Sequence, residues 1–218
     1  MTAPLTSARK GPAKARSVVI FVHGYGADGA DLLGLADPLA PHLPNTAFYA
    51  PNAPQPCTGN PMGFQWFPIP WLDGSSEAQA QAGMAEAAKA LNAFIDTVLA
   101  DEDLTPDRLA LVGFSQGTMM SLHVAPRRDA EIAGIVGFSG RLLTPETLQA
   151  ETRVKPPVLL IHGDQDPVVP FADMDLAGTA LQQAGFTVYG HVMKGAAHGI
   201  SQDGLSAALS FLHERLPR

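Results

Sequence analysis

The 218-residue chain carries one cysteine, Cys57, so an internal disulfide is excluded. Charge is also sparse at 16% of residues, and its balance of 14 basic against 21 acidic groups gives a net −7, which argues against a broad nucleic-acid surface. No apolar run is long enough to span a bilayer, and no apolar stretch follows the start as a signal peptide requires. Together these absences lead us to expect a cytoplasmic protein without stable membrane insertion. The first 16 residues hold a small basic cluster (Arg9, Lys10, Lys14, Arg16), expected as a solvated tail or first hairpin. The whole chain is 46% hydrophobic, and what remains, 17–218, is expected to form one domain with a sizeable core.

Within that length no repeat and no linker divides the chain. Ser17 to Val22 is a continuous apolar run of the kind that buried parallel strands show. Helix is expected from Asp31 to Ala40, a short strand from Thr46 to Tyr49, and loop from Pro51 to Ser76. A long amphipathic helix should follow from Glu77 to Leu99. Strands are then expected at Leu109–Val112, Ile132–Phe138, Pro157–Ile161 and Phe186–Met193, alternating with helices after Ser115, over Phe171–Ala184 and over Gln202–Leu216. Such alternation predicts an α/β fold, a mostly parallel sheet with helices on both faces. Sites in such folds gather beyond the carboxyl ends of the strands, where His23, Ser115, Asp164, Asp166 and His198 all fall.

Residues 113 to 117 read Gly-Phe-Ser-Gln-Gly, a G-x-S-x-G pattern at a strand-to-helix junction. Such a turn lifts a serine oxygen off the end of a sheet and aims it at a substrate carbonyl. Gly113 and Gly117 relieve the crowding that a strained turn imposes on its neighbours. The helix that follows points free N–H groups at the place where negative charge develops. A serine hydroxyl is a poor nucleophile near neutral pH and needs a base.

Seven histidines compete for that role. His42 lies in a loop, His123 two turns into a helix, His191 in the last strand and His213 on the final helix. His23 and His162 follow strands and are equally well explained as turn anchors. His198 sits after the last strand among Gly195, Ala196, Ala197 and Gly199, small neighbours that let an imidazole approach another segment. It also completes a Ser…Asp…His chain order. Asp164 and Asp166 are the candidate acids. One should accept the Nδ1 proton of His198, the other should cap its loop, and the pattern leaves both open. His162, Asp164 and Asp166 cluster, but no second histidine lies at ligand spacing, so neither a metal nor any cofactor is expected.

Taken together, the segments His23-Gly24-Tyr25-Gly26-Ala27-Asp28-Gly29, Pro51-Asn52-Ala53-Pro54, Trp66-Phe67, Gly113–Gly117, Gly137-Phe138-Ser139-Gly140, His162–Pro170 and His198-Gly199 resemble the bacterial carboxylesterase and acyl-protein thioesterase family of α/β-hydrolases. The resemblance implies Asp166 as the acid, and the backbone N–H groups of Tyr25 and Gln116 as oxyanion donors. It favours Trp66 and Phe67 as an apolar wall for the acyl chain and adds Val168 as a substrate contact. The chain departs from the family at Thr118, where many members carry glycine and where a branched side chain is expected to narrow the pocket floor.

Only Gly140 to Pro156 separates the strands around the usual insertion point, so no cap domain is expected. The exception to an open site is 60–75, which holds both tryptophans, Trp66 and Trp71, with Phe64 and Phe67; these aromatics either bind or cover something or pack the loop down on the sheet. The leading expectation is a serine hydrolase of small carboxylic esters with short-to-medium acyl chains, acting as monomer or homodimer; thioesters and lysophospholipids use the same machinery. The alternatives are a lactone or dienelactone hydrolase, whose relatives typically use cysteine, and a non-catalytic binding protein on the same fold.

Overall fold

The computed structural model describes residues 4–217. Its strands are β1 (Ser7–Lys10), β2 (Ser17–Val22), β3 (Thr46–Pro51), β4 (Gln55–Pro56), β5 (Phe64–Gln65), β6 (Leu109–Phe114), β7 (Gly134–Phe138), β8 (Val158–Gly163) and β9 (Val188–Met193). Its helices are α1 (Gly29–Leu33), α2 (Ala36–Leu39), α3 (Pro70–Asp73), α4 (Glu77–Asp101), α5 (Gln116–Val124), α6 (Pro145–Glu151), α7 (Ala172–Gln183) and α8 (Gln202–Arg215). Seven strands form one sheet in the order β1-β3-β2-β6-β7-β8-β9, parallel throughout except for β1. A second sheet pairs only β4 with β5.

The period-two geometry of a strand explains why β2 is apolar at every position. Val18, Ile20 and Val22 point to the face covered by α4, α5 and α7, while Val19 and Phe21 point to the face covered by α1, α2 and α8. Each such side chain, fully withdrawn from water, contributes about 1.5–3 kcal/mol. Helix α4 is fixed at its start by a capping box between Ser76 and Gln79, and buries Ala87, Leu91, Phe94, Ile95 and Val98 as one stripe. It ends where Asp103 turns left-handed at φ 53°.

Three local expectations need correction. The stretch 31–40 is two short helices, because Pro38 has no N–H to continue the ladder and Asp37 instead donates to the Gly34 carbonyl. Residues 51–76 contain β4, β5 and α3 rather than loop alone. The N-terminal segment is neither a tail nor a hairpin: β1 is an edge strand antiparallel to β3 and belongs to the same sheet as the rest. Its cations do the anchoring, since Arg9 Nε and Tyr49 Oη both donate to Glu102 Oε1 at 2.7 Å, and Lys10 pairs with Asp37 at 2.6 Å. Residues 1–3 lie outside the described ones.

The connection between β7 and β8 carries only α6, so no cap covers the carboxyl ends of the strands from that side. Among the described residues no helix is long and apolar enough to cross a membrane.

Candidate active site

Ser115 stands alone between β6 and α5 at φ 53°, ψ −115°, a region L residues avoid. Two hydrogen bonds hold it there: its own N–H donates to the Phe138 carbonyl (2.8 Å), and its carbonyl accepts from Met119 N–H (3.2 Å). The flanking glycines are required by close approach. A Cβ on Gly117 would lie 1.7 Å from the Val22 carbonyl oxygen, and one on Gly113 would lie 2.5 Å from Gly117. Thr118 does not narrow a pocket floor. It is buried, donates from Oγ1 to the Phe138 carbonyl, and turns its methyl toward Gly137 on β7 and Gly140 just after it.

Two of the three expected triad members meet directly. Asp166 Oδ2 lies 2.7 Å from His198 Nδ1, and its Oδ1 accepts from the Val168 and Val169 amides at 2.8 and 2.9 Å. The carboxylate side chain is fully buried, 0% exposed. Burial pushes its pKa up, but the His198 ring and then the two amides outweigh that and hold the carboxyl below the usual range. His198 reaches the serine turn through Phe114, the residue before Ser115, with ring centroids 4.8 Å apart. No hydrogen bond joins Ser115 Oγ to His198 among the described residues; such contacts are often long until substrate arrives.

The loops that carry these residues are zipped together. Asp164, the other candidate acid, accepts from Gly195 N–H at 2.7 Å, and Gln165 N–H donates to the Ala196 carbonyl at 3.0 Å. Asp164 is therefore the loop cap. His162 and His23 are turn anchors. His162 Nε2 lies 3.0 Å from the Val169 carbonyl, and 3.4 Å from Asp166. His23 Nε2 accepts from Ala53 N–H at 2.9 Å, which leaves Nδ1 as the donor to the Gly24 carbonyl at 2.7 Å; burial lowers its pKa and keeps it neutral. His123 is half-buried on α5, and burial, with Arg127 nearby, lowers its pKa to about 4.

Neither the Tyr25 nor the Gln116 amide N–H finds an acceptor among the described residues, as groups awaiting a ligand oxygen require. Gln116 opens α5, so the positive end of that helix faces the same place. Its side chain has a task that its sequence position did not reveal. Oε1 accepts from Trp66 N–H (2.9 Å) and Nε2 donates to the Phe67 carbonyl (2.8 Å), a buried clamp between the serine turn and the aromatic segment.

The aromatic segment divides. Trp66 is 0% exposed and donates from Nε1 to the His23 carbonyl at 3.0 Å, so it packs the loop down and is not an open wall. The signal for this lies in its indole N–H, which when buried must find an acceptor. Phe67 instead lines a cavity of about 210 Å³ with Trp71, Met84, Met119 and Leu143. Val168 is 61% exposed, and its amide, rather than its side chain, engages the site by holding Asp166.

Known proteins resemble the chain along nearly its whole length. The phospholipase/carboxylesterase family matches residues 6–216. An acyl-protein thioesterase 1 of Neurospora crassa is 32% identical over 225 residues, covering 95% of this chain and 91% of that protein. Esterase YpfH of Escherichia coli is 28% identical, covering 94% and 85%. The crystal structure of esterase PE8 superposes with a TM-score of 0.93 at 41% identity, covering 98% of this chain and 100% of that one. The fold is that of an α/β-hydrolase, and the chain belongs to the phospholipase/carboxylesterase family.

Proposed function

We propose that the protein is a serine hydrolase of carboxylic esters with short-to-medium acyl chains, in which Ser115 is the nucleophile, His198 the base and Asp166 the acid. The observation that carries this reading is the 2.7 Å Asp166–His198 contact beside a serine held in a disfavoured turn. In the first half-reaction His198 Nε2 takes the Ser115 proton as Oγ bonds to the acyl carbon. Asp166 keeps the Nδ1 proton in place and stabilises the imidazolium. The oxyanion of the tetrahedral intermediate rests on the Tyr25 and Gln116 N–H groups, each worth about 3 kcal/mol in such sites. Collapse breaks the bond to the leaving alcohol or thiol, which takes the proton from His198. Water then repeats the steps on the acyl-enzyme and releases the acid, restoring Ser115.

Phe67 supports the acyl end of the reading, because it walls an apolar cavity that is also lined by Met119, one turn after Ser115. Thioesters enter as a second substrate class, favoured by the thioesterase relative. We assign the activity to the cytoplasm, where a buried free thiol such as Cys57 survives, with a monomer or homodimer as the working unit.

A series of p-nitrophenyl acetate, butyrate, octanoate and palmitate, beside the matching acyl thioesters, tests the reading. The expected result is hydrolysis that peaks at butyrate or octanoate. A maximum at palmitate removes the chain-length assignment, and no turnover of any member removes the function.

A further inference from the structure

Arg141 follows Ser139 and Gly140 at the carboxyl end of β7, the strand whose Phe138 carbonyl holds the Ser115 amide. Its side chain joins two other elements. Nη2 lies 2.7 Å from Asp173 Oδ2 on α7, and the guanidinium carbon lies 5.7 Å from the ring centroid of Trp71 on α3. Trp71 is 73% exposed, yet it forms part of the lining of the cavity shared with Phe67, Met84, Met119 and Leu143. An indole that exposed has little packing to fix its orientation, and a cation against its face supplies an orienting contact.

The anchoring of that cation is unusual. Arg141 Nε and Asp173 Oδ2 are both buried and neither makes a directed hydrogen bond among the described residues, so the Arg141–Asp173 contact is one of charge rather than aligned donor and acceptor. Such a pair fixes the position of the guanidinium more than its angle. Arginine suits this place where lysine does not, because only the planar guanidinium stacks on a ring while pairing with a carboxylate.

We propose that Arg141 is a specificity-determining positioning residue: anchored on Asp173 and set against the face of Trp71, it holds the indole as the outer wall of the acyl cavity. Chain-length selection then depends on a residue that touches neither the acyl carbon nor the leaving group. The proposal rests on the ester-hydrolase reading given above for its substrate, but not for its mechanical part.

The test uses Arg141→Ala, Arg141→Lys, Trp71→Ala and the double variant Arg141→Ala/Trp71→Ala of the full chain. Acrylamide quenching and anisotropy decay report on the exposed tryptophan, Trp71, over the buried Trp66. Arg141→Ala should speed the decay of the quenchable component; an unchanged decay overturns the stack whatever the enzyme hydrolyses. The octanoate-to-acetate ratio of kcat/KM should fall about two- to fivefold in Arg141→Ala, through KM for octanoate, the scale of an exposed cation–π contact. Arg141→Lys should fall between wild type and Arg141→Ala, and the double variant should do no more than Trp71→Ala alone. A ratio that stays at the wild-type value in Arg141→Ala, a lysine variant identical to wild type, or additive losses each overturn it. Should the wild type hydrolyse no ester, that reading fails by itself and the anisotropy decides the stack alone.

Discussion

In the function proposed above, Asp166 and Trp71 belong to two rims of one site, and they are held by different means. Asp166 is fully buried and receives hydrogen bonds from the Val168 amide, the Val169 amide and the His198 ring, while the loop beneath it is zipped to 195–197 by Asp164 and Gln165. Trp71 is mostly in water and rests on one guanidinium. Proton transfer fails when a group moves by an ångström, whereas a wall for a flexible chain can move by that much and still exclude water. Under the proposed function the contrast divides the labour: directed bonds fix the reacting groups, and a soft contact shapes what may enter.

The sharpest way to break the comparison is at the rigid rim. Ser115→Ala should lower ester kcat by at least about 10⁴-fold with the fold intact, as judged by circular dichroism and steady-state kinetics. Asp166→Asn should cost on the order of 10⁴-fold, because an amide no longer selects the Nδ1–H tautomer of His198. Rates within tenfold of wild type in either variant would contradict the assigned roles. Trp66, although in the aromatic segment, should behave as part of the rigid scaffold. Trp66→Ala should lose about 3–5 kcal/mol of stability in urea unfolding, through the void left and the unpaired His23 carbonyl.

A smaller effect tests a group in neither rim. His123 titrates at its ordinary 6.5 when unfolded and at about 4 when folded. The unfolded state therefore binds more protons between those values, and stability is full above 6.5 and falls as pH drops toward 4. Allowing for its partial exposure the loss is about 2 kcal/mol, and His123→Gln should flatten the pH dependence of unfolding in that window. The smallest effect belongs to the soft rim: Trp71→Ala should change stability by no more than about 0.5 kcal/mol in the same unfolding assay. A large loss there would mean that Trp71 is scaffold after all.

The parallel sheet was legible because each buried strand is apolar on both faces, and Ser17–Val22, Leu109–Val112 and Pro157–Ile161 fall close to the observed β2, β6 and β8. The candidate triad was legible because its members sit just past strand ends, where side chains of distant segments converge. What escaped depends on side-chain geometry that no periodicity encodes. Trp66 and Trp71 read alike, five residues apart in one loop, yet one is buried by an N–H that needs an acceptor and the other is left outside on an arginine. The Gln116 clamp was hidden for the same reason, because its partners are backbone groups some 50 residues earlier. The edge strand β1 was missed because a short charged segment carries no apolar pattern; its pairing is set by β3 and by Glu102.

The proposed chemistry stands on activation of Ser115 by the buried Asp166–His198 pair. Labelling with a fluorophosphonate, followed by peptide mapping of wild type, Ser115→Ala and His198→Ala, tests it most directly. One adduct is expected in the wild type, on the peptide containing Ser115, with none in Ser115→Ala and labelling slowed by orders of magnitude in His198→Ala. An adduct on a different residue, or labelling of Ser115 at an undiminished rate without His198, would contradict it.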